Sequence, residues 1–209
     1  MRVERISDDK CIFPYIAYIS DDISDNPSLI IQLHGAGERG EGGDELDKVL
    51  VHGFANIMPC EDFHDCVLIM PQCPGNSFWA ARVESIKKFV DKMLEVYNAD
   101  KNRIYLTGIS MGGFGTWYTA MAYPDIFAAI APCCGGGMPW NAGVLTMPVW
   151  AFHGGCDDVV LPSNSIDMVE SLRKTNNNVK FDLYEGVKHD SWNRAYSPEL
   201  MKWLLEQRK

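Results

Sequence analysis

The chain has 209 residues, of which 46% are apolar and 22% are charged, so it fits one globular domain and is not a disordered chain. Its formal net charge of -9 argues against non-specific binding to nucleic acid or to anionic membranes. The N-terminus, MRVERISDDKC, is charged where a secretory signal is apolar, and no apolar run approaches the roughly 18 residues of a membrane helix. We therefore expect one cytoplasmic domain over residues 1–209, with no nucleic-acid or membrane partner. The oligomeric state stays open, a homodimer being one option.

Apolar runs alternate with helical patterns along the chain. The predicted strands are an edge strand at residues 16–19, a central strand at 29–33, and further strands at 66–70, 103–107, 127–131, 149–152 and 179–184. Helical patterns cover residues 46–58, 83–97, 113–123, 163–176 (with Ser163 as the expected cap) and 198–208. Continuous apolar strands alternating with helices predict an α/β fold, in which a mostly parallel sheet carries helices on both faces.

Ser110 lies in the pattern Gly-Ile-Ser-Met-Gly at residues 108–112, between a predicted strand and a predicted helix. A sharp strand-to-helix turn crowds its central residue, and glycine two positions to either side relieves the clash while the serine is held exposed. The pattern alone is weak in a glycine-rich chain, and a plain turn is the alternative. The strand before it and the helix after it favour a nucleophile.

A serine nucleophile needs a base, and the five histidines differ in where they stand. His34 and His153 each end a strand and precede glycine, which favours a structural role. No strand directly precedes His52 or His64. His189 follows the last predicted strand. The carboxyl ends of the strands are where reacting groups gather in such sheets, so His189 is the predicted base.

The base needs a carboxylate to orient it. Asp157 and Asp158 both follow the strand predicted at 149–152, and either could reach an imidazole. The resulting order of Ser110, an aspartate and His189 is the order found in the α/β-hydrolase fold.

An acyl-transfer site also needs two N–H groups where negative charge develops. The loop LHGAGERG, residues 33–40, follows the first central strand, and its small residues allow close approach of the backbone. Ala36 and Met111 are the predicted oxyanion donors. The alternative is a phosphate-binding loop, but the glycine spacing fits neither of the usual phosphate-loop patterns.

Seven cysteines without a CxxC pair are read as reduced thiols. Cys60, His64 and Cys66 form a C-x3-H-x-C cluster that resembles part of a zinc site, but a fourth ligand is missing from the pattern. We therefore expect no metal, and no cofactor is required.

The segments LHGAGERG, MPQCP, RIYLTGISMGGFGTW, FHGGCDDVVLP and YEGVKHDSW resemble the compact esterase branch of the α/β-hydrolases. This branch includes the phospholipase/carboxylesterase and dienelactone-hydrolase-like groups and peptidase-like members of the prolyl-oligopeptidase superfamily. The resemblance implies Asp157 as the acid and Ala36 and Met111 as the oxyanion donors. Because this chain carries a serine where dienelactone hydrolases carry cysteine, dienelactone is a poor substrate candidate.

The predicted elements follow one another closely, with no long insertion after the strand at 127–131, so we expect no large lid and an open cleft. The expected activity is that of a serine carboxylesterase that forms an acyl-enzyme on short-acyl, aryl or sugar esters. Gly37, Trp79, Trp140 and Trp192 follow strands at the same edge and are predicted to contact the substrate; packing in the core or rim is the alternative for each tryptophan. Two other functions stay open: a small serine peptidase or amidase, and a non-catalytic binding protein of the same fold.

Overall fold

An eight-stranded sheet organises the computed structural model, which describes residues 1–8 and 11–209. The strands are β1 (Arg2–Ile6), β2 (Tyr15–Ile19), β3 (Ser28–Leu33), β4 (Cys66–Pro71), β5 (Ile104–Ile109), β6 (Ala129–Cys133), β7 (Val149–Gly154) and β8 (Val179–Tyr184). Their order across the sheet is β1-β2-β4-β3-β5-β6-β7-β8. The pairings β1–β2 and β2–β4 are antiparallel, and every other pairing is parallel. This arrangement confirms the expected α/β class.

Helices cover both faces of the sheet: α1 (Val83–Tyr97), α2 (Met111–Ala122), α3 (Ser163–Leu172), α4 (Trp192–Ala195) and α5 (Pro198–Leu205). All six residues of β3 are buried, and they alternate between the faces. Leu29 and Ile31 pack in the core under α1, α2 and α3, whereas Ile30 packs in the core under α5. No helix in the described part of the chain is both long enough and apolar enough to cross a membrane.

The edge of the sheet differs from the prediction. Residues 16–19 lie within β2, which pairs on both sides, and the edge strand on this side of the sheet is β1, which the sequence analysis missed. Its residues Arg-Val-Glu-Arg-Ile are mostly exposed, so the apolar run that identified the other strands is absent here. Charged residues of this kind are common on edge strands, where they discourage pairing with another chain.

Two further predictions were wrong. Residues 46–58 do not form one helix but lie in two 3-10 stretches, Gly43–Leu50 and Gly53–Ile57. Gly53 has φ +83°, which interrupts any continuous helix between them. Ser163 does not cap α3: it is the first helical residue, after Pro162, and no side chain caps this helix.

Candidate active site

Ser110 sits on a strained turn between β5 and α2. Its φ is +54° and its ψ is -112°, a conformation that non-glycine residues rarely adopt. A Cβ on Gly108 would lie 2.3 Å from the Gly112 carbonyl oxygen, and a Cβ on Gly112 would lie 2.0 Å from that of Leu33. Only glycine therefore fits at these two positions, and the tight turn sets the serine at the carboxyl edge of the sheet.

His189 bridges Ser110 and Asp157. It lies in the loop after β8, and its Nε2 is 2.9 Å from Ser110 Oγ. Its Nδ1 is 2.7 Å from Asp157 Oδ2. Because the imidazole side chain is 19% exposed, the serine end of this chain of hydrogen bonds is open to a ligand.

Asp157 is buried and held by several donors. Its Oδ1 accepts the N–H groups of Val159 and Val160, each at 2.9 Å, while Oδ2 faces His189. Burial acts to raise the pKa of Asp157, but the hydrogen bonds from His189, Val160 and Val159 outweigh it and lower that pKa below its ordinary value. The carboxylate is thus ionised at neutral pH and can hold the imidazole in the Nδ1–H tautomer.

The two aspartates considered from sequence have different surroundings. Asp158 has a 71% exposed side chain, and its nearest ionic partner is Lys188, 3.8 Å away. His153 is buried instead beside Asp157 Oδ2, at 3.2 Å. Its Nδ1 contacts Ser165 Oγ at 2.6 Å, and burial lowers its pKa, so this histidine is neutral and packed into the loop.

The loop proposed to hold the oxyanion lies directly against the serine turn. Ala36 and Gly37 are exposed and begin the 3-10 turn Ala36–Glu38. The close approach of Gly112 to the end of β3 brings the start of α2, where Met111 is the first residue, beside this loop. Arg39 Nε donates to the Ala36 carbonyl at 2.8 Å, which fixes the orientation of the peptide that follows Ala36.

His34 and Trp79 support this loop from below. His34 Nε2 accepts the Cys73 N–H at 2.9 Å and its Nδ1–H donates to the Gly35 carbonyl, so the ring is neutral. Burial lowers the pKa of His34 to about 4. Trp79 Nε1 donates to the His34 carbonyl at 3.0 Å. Since Trp79 has no exposed surface, it does not line an open site as the sequence suggested, and it packs in the core instead.

The other two tryptophans are placed differently. Trp192 packs edge-on against His189, with ring centres 5.2 Å apart. The His52 ring also lies 5.1 Å from that of Trp192, so His52, which the sequence analysis considered only as a candidate base, is a residue near the site. Trp140 is 83% exposed and lies in the 3-10 segment Pro139–Val144, which follows β6.

Cys134 is the second residue that the sequence analysis did not assign to the site. It follows β6 with φ +41°, and its N–H donates to the Phe152 carbonyl of β7. The preceding residue, Cys133, accepts the N–H of Ser110 through its carbonyl. These bonds place the buried Cys134 thiol beneath the site. Burial raises its pKa, so the group is a neutral thiol at neutral pH.

Comparison with known proteins identifies the family. A model of the phospholipase/carboxylesterase family matches residues 64–197, a segment that contains Ser110, Asp157 and His189. The chain belongs to this family. The match confirms the resemblance read from the sequence motifs and agrees with the α/β-hydrolase fold of the sheet.

Several members of this fold are similar over long segments. The chain is 28% identical over 150 residues to a bifunctional acetylxylan esterase/xylanase from Neocallimastix patriciarum, covering 68% of this chain and 21% of that protein. It is 28% identical over 129 residues to feruloyl esterase B from Neurospora crassa, covering 56% of this chain and 42% of that protein. The crystal structure of a thermostable esterase superposes with a TM-score of 0.81 at 32% identity, covering 100% of this chain and 63% of the other. The chain thus spans less than two thirds of each of these proteins.

Proposed function

We propose that this phospholipase/carboxylesterase family member hydrolyses carboxylic esters with Ser110 as the nucleophile. The observation that carries the proposal is the position of His189, which is within hydrogen-bond distance of both Ser110 Oγ and Asp157 Oδ2. Nucleophile, base and orienting acid in this geometry are the requirements for activating a serine hydroxyl.

The proposed cycle passes through an acyl-enzyme. His189 Nε2 takes the Ser110 proton as Oγ attacks the ester carbonyl, and the imidazolium then gives that proton to the departing alcohol. A water molecule, deprotonated by the same nitrogen, attacks the acyl-enzyme and releases the acid. Asp157 stabilises the imidazolium in both halves, since its lowered pKa keeps it ionised.

The N–H groups of Ala36 and Met111 are the proposed oxyanion donors. Met111 begins α2, so its N–H lies at the positive end of the helix dipole. Ala36 is held by the Arg39 bond to its carbonyl and by the His34–Trp79 support below the loop. Loss of one such donor typically costs about 10²- to 10³-fold in rate.

The proposed substrates are esters with a short acyl group or with an aryl or sugar component. Ala36 and Gly37 are exposed at the site, and a Cβ on Gly37 would meet nothing within 4 Å, so the entrance at this loop is open. The curated relatives named for acetylxylan and feruloyl esters support this choice. Trp192, Gly37 and the exposed Trp140 are the proposed contacts to the substrate. The cytoplasmic location and the oligomeric state stay predictions.

Covalent labelling tests the nucleophile. A fluorophosphonate probe should label the protein and should fail to label Ser110→Ala, while Ser191→Ala, which alters a buried serine near the site, should still be labelled. A panel of nitrophenyl esters, feruloyl and acetylated sugar esters and peptide amides then tests the substrate class. Fastest turnover of long acyl chains, or of amides, would contradict the proposal.

A further inference from the structure

A thiol, an imidazole and a carboxylate meet beneath the serine turn. A ligand-capable atom of Cys134, one of Asp157 and one of His189 all lie within 4.8 Å of one another. They come from the ends of three successive strands, β6, β7 and β8. The ester-hydrolysis cycle uses the carboxylate and the imidazole but gives no role to the thiol.

Sulfur, nitrogen and oxygen donors in this combination suit a borderline-soft cation. Zinc takes thiolate at about 2.3 Å and imidazole nitrogen or carboxylate oxygen at about 2.0–2.2 Å, so ligands around one ion lie roughly 3–4 Å apart. His189 Nδ1 and Asp157 Oδ2, which are 2.7 Å apart, must separate slightly to admit the ion. A water molecule can complete a tetrahedral set, because Ser110 Oγ contacts Nε2, on the far side of the His189 ring from Asp157.

We propose that Cys134, Asp157 and His189 form an inhibitory site for Zn²⁺ or a cation of similar softness, such as Cd²⁺. On binding, the Cys134 S–H bond breaks, the sulfur keeps the electron pair to bond the metal, and that proton leaves to solvent. The Nδ1 proton of His189 moves to Nε2, which frees the Nδ1 lone pair, next to Asp157 Oδ2, to bond the metal. With the ion on Nδ1, Nε2 carries the imidazole proton and can no longer accept the Ser110 proton. Mg²⁺ and Ca²⁺ prefer all-oxygen ligands and do not bind here.

The route to the site determines how inhibition behaves. Cys134 and Asp157 are buried, whereas the His189 side chain is 19% exposed, so an ion enters past the imidazole from the substrate side. Because the ion disables the base without filling the substrate site, inhibition lowers kcat and is reversed by chelation. The ion-binding site stands on the side-chain cluster alone, while the inhibitory effect rests on the proposed esterase activity.

Binding is measured without activity. Ser110→Ala protein is titrated with Cd²⁺, and the ultraviolet thiolate-to-cadmium charge-transfer absorbance is compared in Ser110→Ala/Cys134→Ser and Ser110→Ala/Cys156→Ser. Cys156 is the matched control, because it is an exposed thiol next to Asp157. The signal attributable to one site should disappear with Cys134→Ser and persist with Cys156→Ser. The reverse result, or equal signals in all three proteins, overturns the proposal.

A further variant covers the case in which Cys134→Ser does not fold. Ser110→Ala/His189→Ala keeps every thiol but lacks the imidazole ligand. Its Cd²⁺ affinity at this site should fall by at least about tenfold, the order seen even for weaker perturbations of metal sites. An unchanged affinity would show that the imidazole is not a ligand and would refute the site.

Inhibition is measured on the active protein. Zn²⁺ should lower kcat for a nitrophenyl ester, EDTA should restore it, and Mg²⁺ should have no effect. Cys134→Ser should require at least about tenfold more Zn²⁺ than either the unmodified chain or Cys156→Ser. Equal sensitivity of Cys134→Ser overturns the proposal. If the Cd²⁺ titration succeeds but no ester is turned over, the proposed function fails and the metal site stands.

Discussion

Replacing Asp157 by asparagine tests the proposed chemistry most directly, because it exchanges one oxygen for an NH₂ group and hardly changes the side-chain volume. Asp157 Oδ1 accepts two backbone N–H groups, from Val159 and Val160. An asparagine has one acceptor oxygen, which stays with those two donors, so its NH₂ group faces His189 in place of Oδ2. An NH₂ group only donates. His189 Nδ1 must then accept, its proton moves to Nε2, and Nε2 can no longer take the proton of Ser110.

The expected loss follows from that change of tautomer. Holding the imidazole in the wrong tautomer lowers kcat by about 10⁴-fold in serine triads. At 1.36 kcal/mol for each factor of ten, this corresponds to about 5 kcal/mol of transition-state stabilisation. The assay is the initial rate of nitrophenyl acetate hydrolysis, with kcat and KM determined separately. KM should change much less than kcat, since Asp157 is buried behind His189.

The neighbouring aspartate provides the control. Asp158→Asn removes the same charge from an adjacent residue whose side chain is 71% exposed and 3.8 Å from Lys188. Exposed pairs of this kind contribute little, so this variant should keep its rate within about twofold. If Asp157→Asn retained more than about a tenth of the activity, or if both variants lost activity equally, the assignment of the acid would be wrong.

Three further predictions concern the scaffold of the site. Gly112→Ala should lower Tm markedly in thermal unfolding, because the added Cβ would lie 2.0 Å from the Leu33 carbonyl oxygen; an unchanged Tm would contradict the tight turn. Trp79→Phe leaves the His34 carbonyl without its donor and should cost about 1–3 kcal/mol in urea denaturation while also slowing ester turnover. Burial lowers the pKa of His34 from 6.5 to about 4, so the unfolded chain binds a proton that the folded chain does not in that range. The free energy of unfolding should therefore fall by up to about 3 kcal/mol as pH drops from about 6.5 to 4, and His34→Gln should flatten this slope.

The sequence predicted the parts of the molecule in which local pattern and position agree. The residues before Ser110 form an apolar run, which is typical of a strand buried on both faces, and glycines lie two positions before and after the serine. The strand, the turn and the helix were therefore identified together. The place of His189 after β8 followed from strand order. In these cases the side-chain pattern reflects burial in the sheet, which is the dominant energetic term.

The remaining features depend on tertiary contacts that leave little trace in one sequence. Residues 46–58 show a helical spacing of apolar residues, but Gln32 holds the backbone by accepting the Phe54 N–H and donating to the His52 carbonyl, and two 3-10 turns result. The complete burial of Trp79 depends on a carbonyl 45 residues earlier in the chain. Cys134 reaches the site only because β6 lies between β5 and β7 in the sheet.

In the proposed mechanism, the position of Trp192 couples substrate choice to reaction rate. The Trp192 ring packs against His52, whose carbonyl accepts a hydrogen bond from Gln32 in β3. It also packs against the imidazole of His189. A smaller side chain at this position would enlarge the space beside His189. It would also remove the ring that packs against the imidazole and restricts its motion. We therefore expect that substitutions at Trp192 that admit a bulkier substrate also lower the rate, whereas substitutions at the exposed Trp140 leave the base undisturbed.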